Sequence, residues 1–168
     1  MSAPSRDTLA AAPLRLDRLR GALPEIHSVL EGETDAVALQ ASLACLLWDA
    51  MPQLSWCGFY RRVGESTLAV GPYQGTLGCL RIDFARGVCG AAARTQQTQL
   101  VPDVHAFEGH IACDARTRAE LVVPVLAGGT LRAVLDLDSI LLDAFCTEEA
   151  RLLELLIREI FDRPDIVW

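Results

Sequence analysis

Six cysteines, at 45, 57, 79, 89, 113 and 146, have the widest chemical reach in this 168-residue chain. None forms a C-x-x-C pair, which argues against a zinc ribbon or a thioredoxin-type motif. A cysteine in a reduced protein is commonly a small buried hydrophobe, and Cys45, Cys57 and Cys146 are assigned that packing role. Cys89 sits between glycines in GVCG, residues 87–90. It is either a packing thiol framed by glycines or a helix-start thiol whose thiolate is stabilised by the first-turn amides. Cys113 follows His105 and His110 on a polar stretch. A loop thiol near imidazoles can be a reactive thiolate; the alternative is a structural loop cysteine. Zinc held by Cys113, His105 and His110 is disfavoured, because no second cysteine lies at ligand spacing.

Carboxylates are the second resource. Asp136 and Asp138 alternate with Leu135 and Leu137, so on a strand the two acids share a face. That face is either solvated or part of a covered acidic pocket. Val134 on the same face, and an apolar neighbouring strand, support the pocket. Repulsion and desolvation there raise carboxyl pKa values, which suits an acid that binds an ammonium group and gives up a proton. Glu120 opens the preceding strand. A strict two-residue turn at Gly128-Gly129 pairs Glu120 with Leu137 and points it away from the aspartates. A longer turn, or a bulge at Pro124, slips the register by one and brings Glu120 to them; the slip is expected. Trp56 and Tyr60, four apart on a strand, share a face, as core or as the wall of a small apolar site for a methyl group.

The elements that position these groups follow from hydrophobic spacing. Leu16, Leu19, Leu23, Ile26 and Leu30 mark a first helix, with a kink or break expected near Pro24. Thr34 and Asp35 cap a second, stopped by Pro52. Residues 55–62 and 68–73 read as a hairpin across 64–67. Gly71, Pro72, Gly75 and Gly78 then break regular structure. Residues 87–95 form a short helix, and 96–118 a long polar segment around one short strand near Leu100. Residues 121–126 and 131–138 are strands, and Thr147 opens a last helix with Leu153, Leu156, Ile157 and Ile160 on its face. Hairpins with helices at both chain ends imply an α+β layer fold, its antiparallel sheet flanked by helices on one face.

Composition narrows the functional classes. The net charge is −7, and all fifteen basic residues are arginine. An acidic chain without a basic patch argues against nucleic acid and anionic membrane surfaces. No stretch approaches the roughly 18–20 apolar residues of a membrane span. The N-terminus lacks the apolar centre of a signal peptide. Residues 1–13 are read as a flexible tail and 14–168 as one catalytic domain of a cytoplasmic protein.

Taken in order, WCGFY at 56–60, GPYQG at 71–75, Cys79, GVCGAA at 87–92, DVHAFEGHIACD at 103–114, AELVVPV at 119–125 and VLDLDS at 134–139 resemble the free methionine-(R)-sulfoxide reductases. These are small standalone GAF-domain enzymes, and the resemblance covers about residues 14–161. It implies a GAF-like domain, commonly a homodimer, with no metal or other cofactor. Its nucleophile falls on Cys113, its resolving cysteine on Cys79, and its third active-site cysteine on Cys89. Its pocket acids fall on Glu120, Asp136 and Asp138, and its aromatic wall on Trp56 and Tyr60. The chain departs from the family pattern at Tyr73, Leu77-Gly78, Ala119 and Ala133, none of which removes a chemical group.

The expected activity is thiol-dependent reduction of free methionine sulfoxide. Cys113 attacks sulfur, a carboxylic acid protonates the departing oxygen, and Cys113 becomes a sulfenic acid. Cys79 (or Cys89) condenses with it to a disulfide, and thioredoxin restores the thiols. That pairing requires the Cα atoms of Cys79 and Cys113 to lie within about 7 Å. The rivals are a non-catalytic GAF small-molecule sensor and a redox switch whose disulfide is itself the signal.

Overall fold

The computed structural model describes residues 12–109 and 113–168. The tail expected over residues 1–13 lies outside them except for Ala12 and Pro13, the first residues of α1 (Ala12–Leu30). This helix buries Leu19, Ile26 and Leu30. The helix continues through Pro24, so the chain does not break there. Pro24 is exposed, and the helix forgoes one backbone hydrogen bond there while its buried face holds it in place. Asp35 caps α2 (Ala36–Ala50), its Oδ1 accepting from the N–H groups of Val37 and Ala38 at 2.8 Å each.

Six antiparallel strands follow: β1 (Trp56–Arg62), β2 (Thr67–Gly75), β3 (Arg81–Asp83), β4 (Gln99–Val101), β5 (Ala119–Ala127) and β6 (Thr130–Ser139). Their spatial order is β3-β2-β1-β6-β5-β4. Between β3 and β4 lies α3 (Gly87–Thr95), and α4 (Thr147–Phe161) ends the sheet layer. This is a GAF-type α+β fold.

Strand alternation builds two cores rather than the single helical face expected. Cys57, Phe59, Leu121, Leu135 and Leu137 point to the face covered by α1, α2 and α4. Trp56, Tyr60, Val122 and Val134 point to the other, with α3 and the Val104 turn packed on it. The second layer is thinner and made mostly of loops, so a pocket can form there.

Two irregularities set the face of every functional side chain. Gly71 and Pro72 do not end a strand; the two together oppose the single residue Phe59 in a bulge of β2, between the pairs Gly58↔Tyr73 and Tyr60↔Val70. In the β5–β6 hairpin, Gly128 and Gly129 have φ of 56° and 75°, the left-handed values a tight two-residue turn requires. The strict turn therefore forms, pairing Ala127 with Thr130. The register still slips by one, because β6 carries an extra residue, Arg132, between Leu126↔Leu131 and Val125↔Ala133. The slip is thus located at Arg132 and not at Pro124, which pairs regularly with Val134.

Candidate active site

That single slipped residue places Glu120 opposite Asp138. Asp138 in turn faces Trp56 across β1, so Trp56, Asp138 and Glu120 form one cross-strand row. The next row is Tyr73, Gly58, Asp136 and Val122. Directly opposed residues project from the same face, so all three acids line one pocket with Trp56 and Tyr60. Trp56 stacks on Tyr60 at 5.4 Å between ring centroids and on Tyr73 at 5.2 Å. Tyr73 thus backs Trp56 from outside the pocket lining, a placement hidden in the sequence because the bulge changes its parity.

The acids are deeply enclosed. Glu120 is 7% exposed and Asp136 5%; Asp138 is half-buried at the rim. Burial, then Asp136 and Asp138, push the Glu120 carboxyl well above its usual range. Burial pushes Asp136 up to about 7, offset in part by the Cys89 thiol and the Glu120 carboxyl beside it. Burial, then Asp136 and Asp114, raise Asp138. The protons of such a cluster belong to the set rather than to single residues.

Cys89 sits in the first turn of α3 with its Sγ 3.8 Å from Glu120 Oε1. Gly90 lets this helix approach closely: a Cβ there would lie 2.6 Å from the Asp83 carbonyl oxygen. The stabilised-thiolate reading of Cys89 is not supported. Burial and the neighbouring carboxylates raise its thiol well above the usual value, outweighing the helix amides.

Cys79 and Cys113 are joined by a disulfide, with Cα atoms 5.4 Å apart. Cys113 is on the surface side of the pocket and lines its mouth. The two loops that carry the sulfurs are tied down at several points. Trp56 Nε1 donates to the Thr76 carbonyl at 3.1 Å, and the Cys79 backbone lies beside the Tyr60 hydroxyl. Thr76 Oγ1 donates to Asp114 Oδ2 at 3.3 Å, and Arg116 grips the same carboxylate at 2.7 Å. Those Arg116 hydrogen bonds hold Asp114 down at about 2. Gly78 packs against the aromatic wall, where a Cβ would come within 2.8 Å of Tyr60 Oη.

Other sequence expectations fare unevenly. Cys57 is buried beneath the sheet, as a packing residue should be, and Cys146 is half-buried ahead of α4. Cys45 is exposed and packs nothing, because α2 turns that position outward. His105 does not line the pocket, and His110 lies outside the described residues. Among the described residues the group with metal-ligand spacing is instead Cys89, Glu120 and Asp136.

Comparison with known proteins decides the family. Residues 25–160 match the GAF domain model. The chain is 38% identical over 136 residues to the free methionine-R-sulfoxide reductase of Escherichia coli, covering 81% of this chain and 82% of that protein. The chain belongs to the free methionine-R-sulfoxide reductase family. The yeast Saccharomyces cerevisiae reductase of this name is 39% identical over 76% of this chain and 75% of its own length. The structure of a free methionine-R-sulfoxide reductase from Neisseria meningitidis, in complex with its substrate, superposes with a TM-score of 0.81. It is 40% identical and covers 96% of this chain and 91% of that one. Membership of this reductase family makes the chain an oxidoreductase. No helix among the described residues is long and apolar enough to cross a membrane.

Proposed function

We propose that this protein reduces free methionine-(R)-sulfoxide to methionine, using Cys113 as nucleophile, Cys79 as resolving thiol and a protein dithiol such as thioredoxin as reductant. The observation that carries the reading is a bonded cysteine pair of which one member, Cys113, lines the same pocket as Glu120, Asp136, Asp138, Trp56 and Tyr60.

The Cys113 thiolate attacks the sulfoxide sulfur, and the oxygen is transferred to Cys113 as a sulfenic acid while methionine leaves. Glu120 fits the proton donor best, because burial and the neighbouring aspartates favour its protonated form. Asp136 and Asp138 supply negative charge for the substrate ammonium. The Trp56 and Tyr60 rings offer an apolar bed for the methyl group. The substrate carboxylate needs donors of a different kind. No side chain caps α3, and its first turn from Gly87 to Cys89 lines the pocket. Cys79 then condenses with the sulfenic acid, expelling water, and the external dithiol reduces the disulfide. A methionine inside a polypeptide has neither the amine nor the carboxylate, so the enclosed acidic pocket selects the free amino acid.

In the oxidised form the free space inside the pocket is about 30 Å³, room for only a water or two. Substrate entry therefore waits on reduction of the disulfide that closes the loops. The protein acts in the cytoplasm as a homodimer, a state that light scattering on the purified chain checks.

The decisive assay incubates the protein with racemic free methionine sulfoxide, thioredoxin, thioredoxin reductase and NADPH. NADPH consumption that stops at half the racemate, and disappears in Cys113→Ser, is the expected result. Binding without turnover would instead mark a non-catalytic GAF sensor. A reversible disulfide with no consumption of sulfoxide would mark a redox switch.

A further inference from the structure

We propose that Cys89, Glu120 and Asp136 form a binding site for a thiophilic divalent cation of the Zn²⁺ class, which enters the pocket in place of substrate. One ligand atom from each of these three buried residues lies within 4.8 Å of the others. Around one tetrahedral ion, sulfur and oxygen donors sit roughly 3.4–3.6 Å apart.

A second observation points to a missing cation. Asp136 Oδ1 is fully enclosed and has no hydrogen-bond donor. Among the described residues lining the pocket there is no basic side chain, while Asp138 adds a further acid beside the three ligands; Asp114 at the mouth is already paired with Arg116. A buried carboxylate oxygen left without a partner is costly, and a bound cation removes that cost. The free space of about 30 Å³ admits an ion even where a substrate molecule does not fit. The sulfur donor selects the metal: a thiolate with two carboxylates favours Zn²⁺, Cd²⁺ or Co²⁺ over Mg²⁺ and Ca²⁺. Binding expels the Cys89 thiol proton, and any carboxyl proton present, to solvent; no electrons are exchanged. The fourth coordination position faces the pocket and stays open to water.

Competition with sulfoxide rests on the proposed reading of this pocket, but the metal site itself does not, and its test needs no turnover. The reduced protein is titrated anaerobically with Co²⁺ as an optical probe. A thiolate-to-cobalt charge-transfer band saturating at one equivalent, bleached by Zn²⁺, is expected. The band persists in Cys79→Ser/Cys113→Ser, which removes the other thiols at the pocket. It vanishes when Cys89→Ser is added. Glu120→Gln weakens Co²⁺ binding by at least about tenfold and serves as the deciding variant if circular dichroism shows that Cys89→Ser is misfolded. In the thioredoxin-coupled assay Zn²⁺ raises KM for sulfoxide without lowering kcat. A band lost in Cys79→Ser/Cys113→Ser, a band surviving Cys89→Ser, or unchanged affinity in Glu120→Gln overturns the site.

Discussion

Asp136 offers the sharpest test of how this pocket is built, because one atom substitution removes its charge while keeping its shape. In the folded protein burial lifts its carboxyl from 3.8 to about 7. The folded state therefore holds a proton that the unfolded chain has released between those values. A raised carboxyl pKa means that stability is highest at low pH and is lost as pH rises through about 7. Integrating the two titration curves from pH 5 to pH 8 gives a loss of about 2–3 kcal/mol, shared across the coupled acids. Glu120 and Asp138 shift in the same direction, so the wild-type profile falls at least as steeply. Asp136→Asn cannot ionise, and it also removes a charge that raises both neighbours. Urea unfolding of the oxidised protein, followed by circular dichroism at pH 5, 6, 7 and 8, measures both profiles. The expected result is a flatter profile in Asp136→Asn, by about 2–3 kcal/mol over that range, with the variant the more stable protein at pH 8. The His27–Glu159 pair also titrates toward lower stability at high pH, but it is common to both proteins and cancels in the comparison. Parallel profiles would refute the claim that a buried, desolvated acid sits at this position.

Further outcomes follow from other parts of the fold. Glu120→Gln lowers kcat for sulfoxide by about 10²-fold or more if it supplies the proton, whereas an unchanged kcat removes it from that role. Reducing the Cys79–Cys113 bond, which spans a sequence separation of 34, lowers stability by up to about 4 kcal/mol through loop entropy; an unaltered urea midpoint in dithiothreitol argues against the pairing. Gly58→Ala places a Cβ 2.7 Å from Tyr73 Cα at the β2 bulge and costs about 1–3 kcal/mol, read from the same unfolding curves. Cys89, enclosed and held protonated, stays unmodified by iodoacetamide in the native oxidised protein while exposed Cys45 is alkylated, as peptide mass spectrometry reports.

Local pattern was sufficient for much of this molecule. The boundaries of α3 (Gly87–Thr95) and the start of α4 at Thr147 are written in their glycine and acidic openings, since helix ends are decided by nearby backbone groups. Alternation along β6 put Asp136 and Asp138 on one face, because a strand's period of two is a property of the chain itself. The motifs around Cys79, Cys89 and Cys113 carried the family. Parity between strands was another matter. Glu120 reaches the aspartates only because Arg132 is an extra residue in β6, and Tyr73 joins Trp56 only because β2 bulges at Gly71-Pro72. A bulge is fixed by the packing of both faces at once, which no single strand encodes. Electrostatics followed the same rule. The first-turn amides of α3 suggested a stabilised thiolate at Cys89, but three carboxylates from two other strands reverse that expectation. Their desolvation exists only once the sheet, α3 and the disulfide-closed loops have come together.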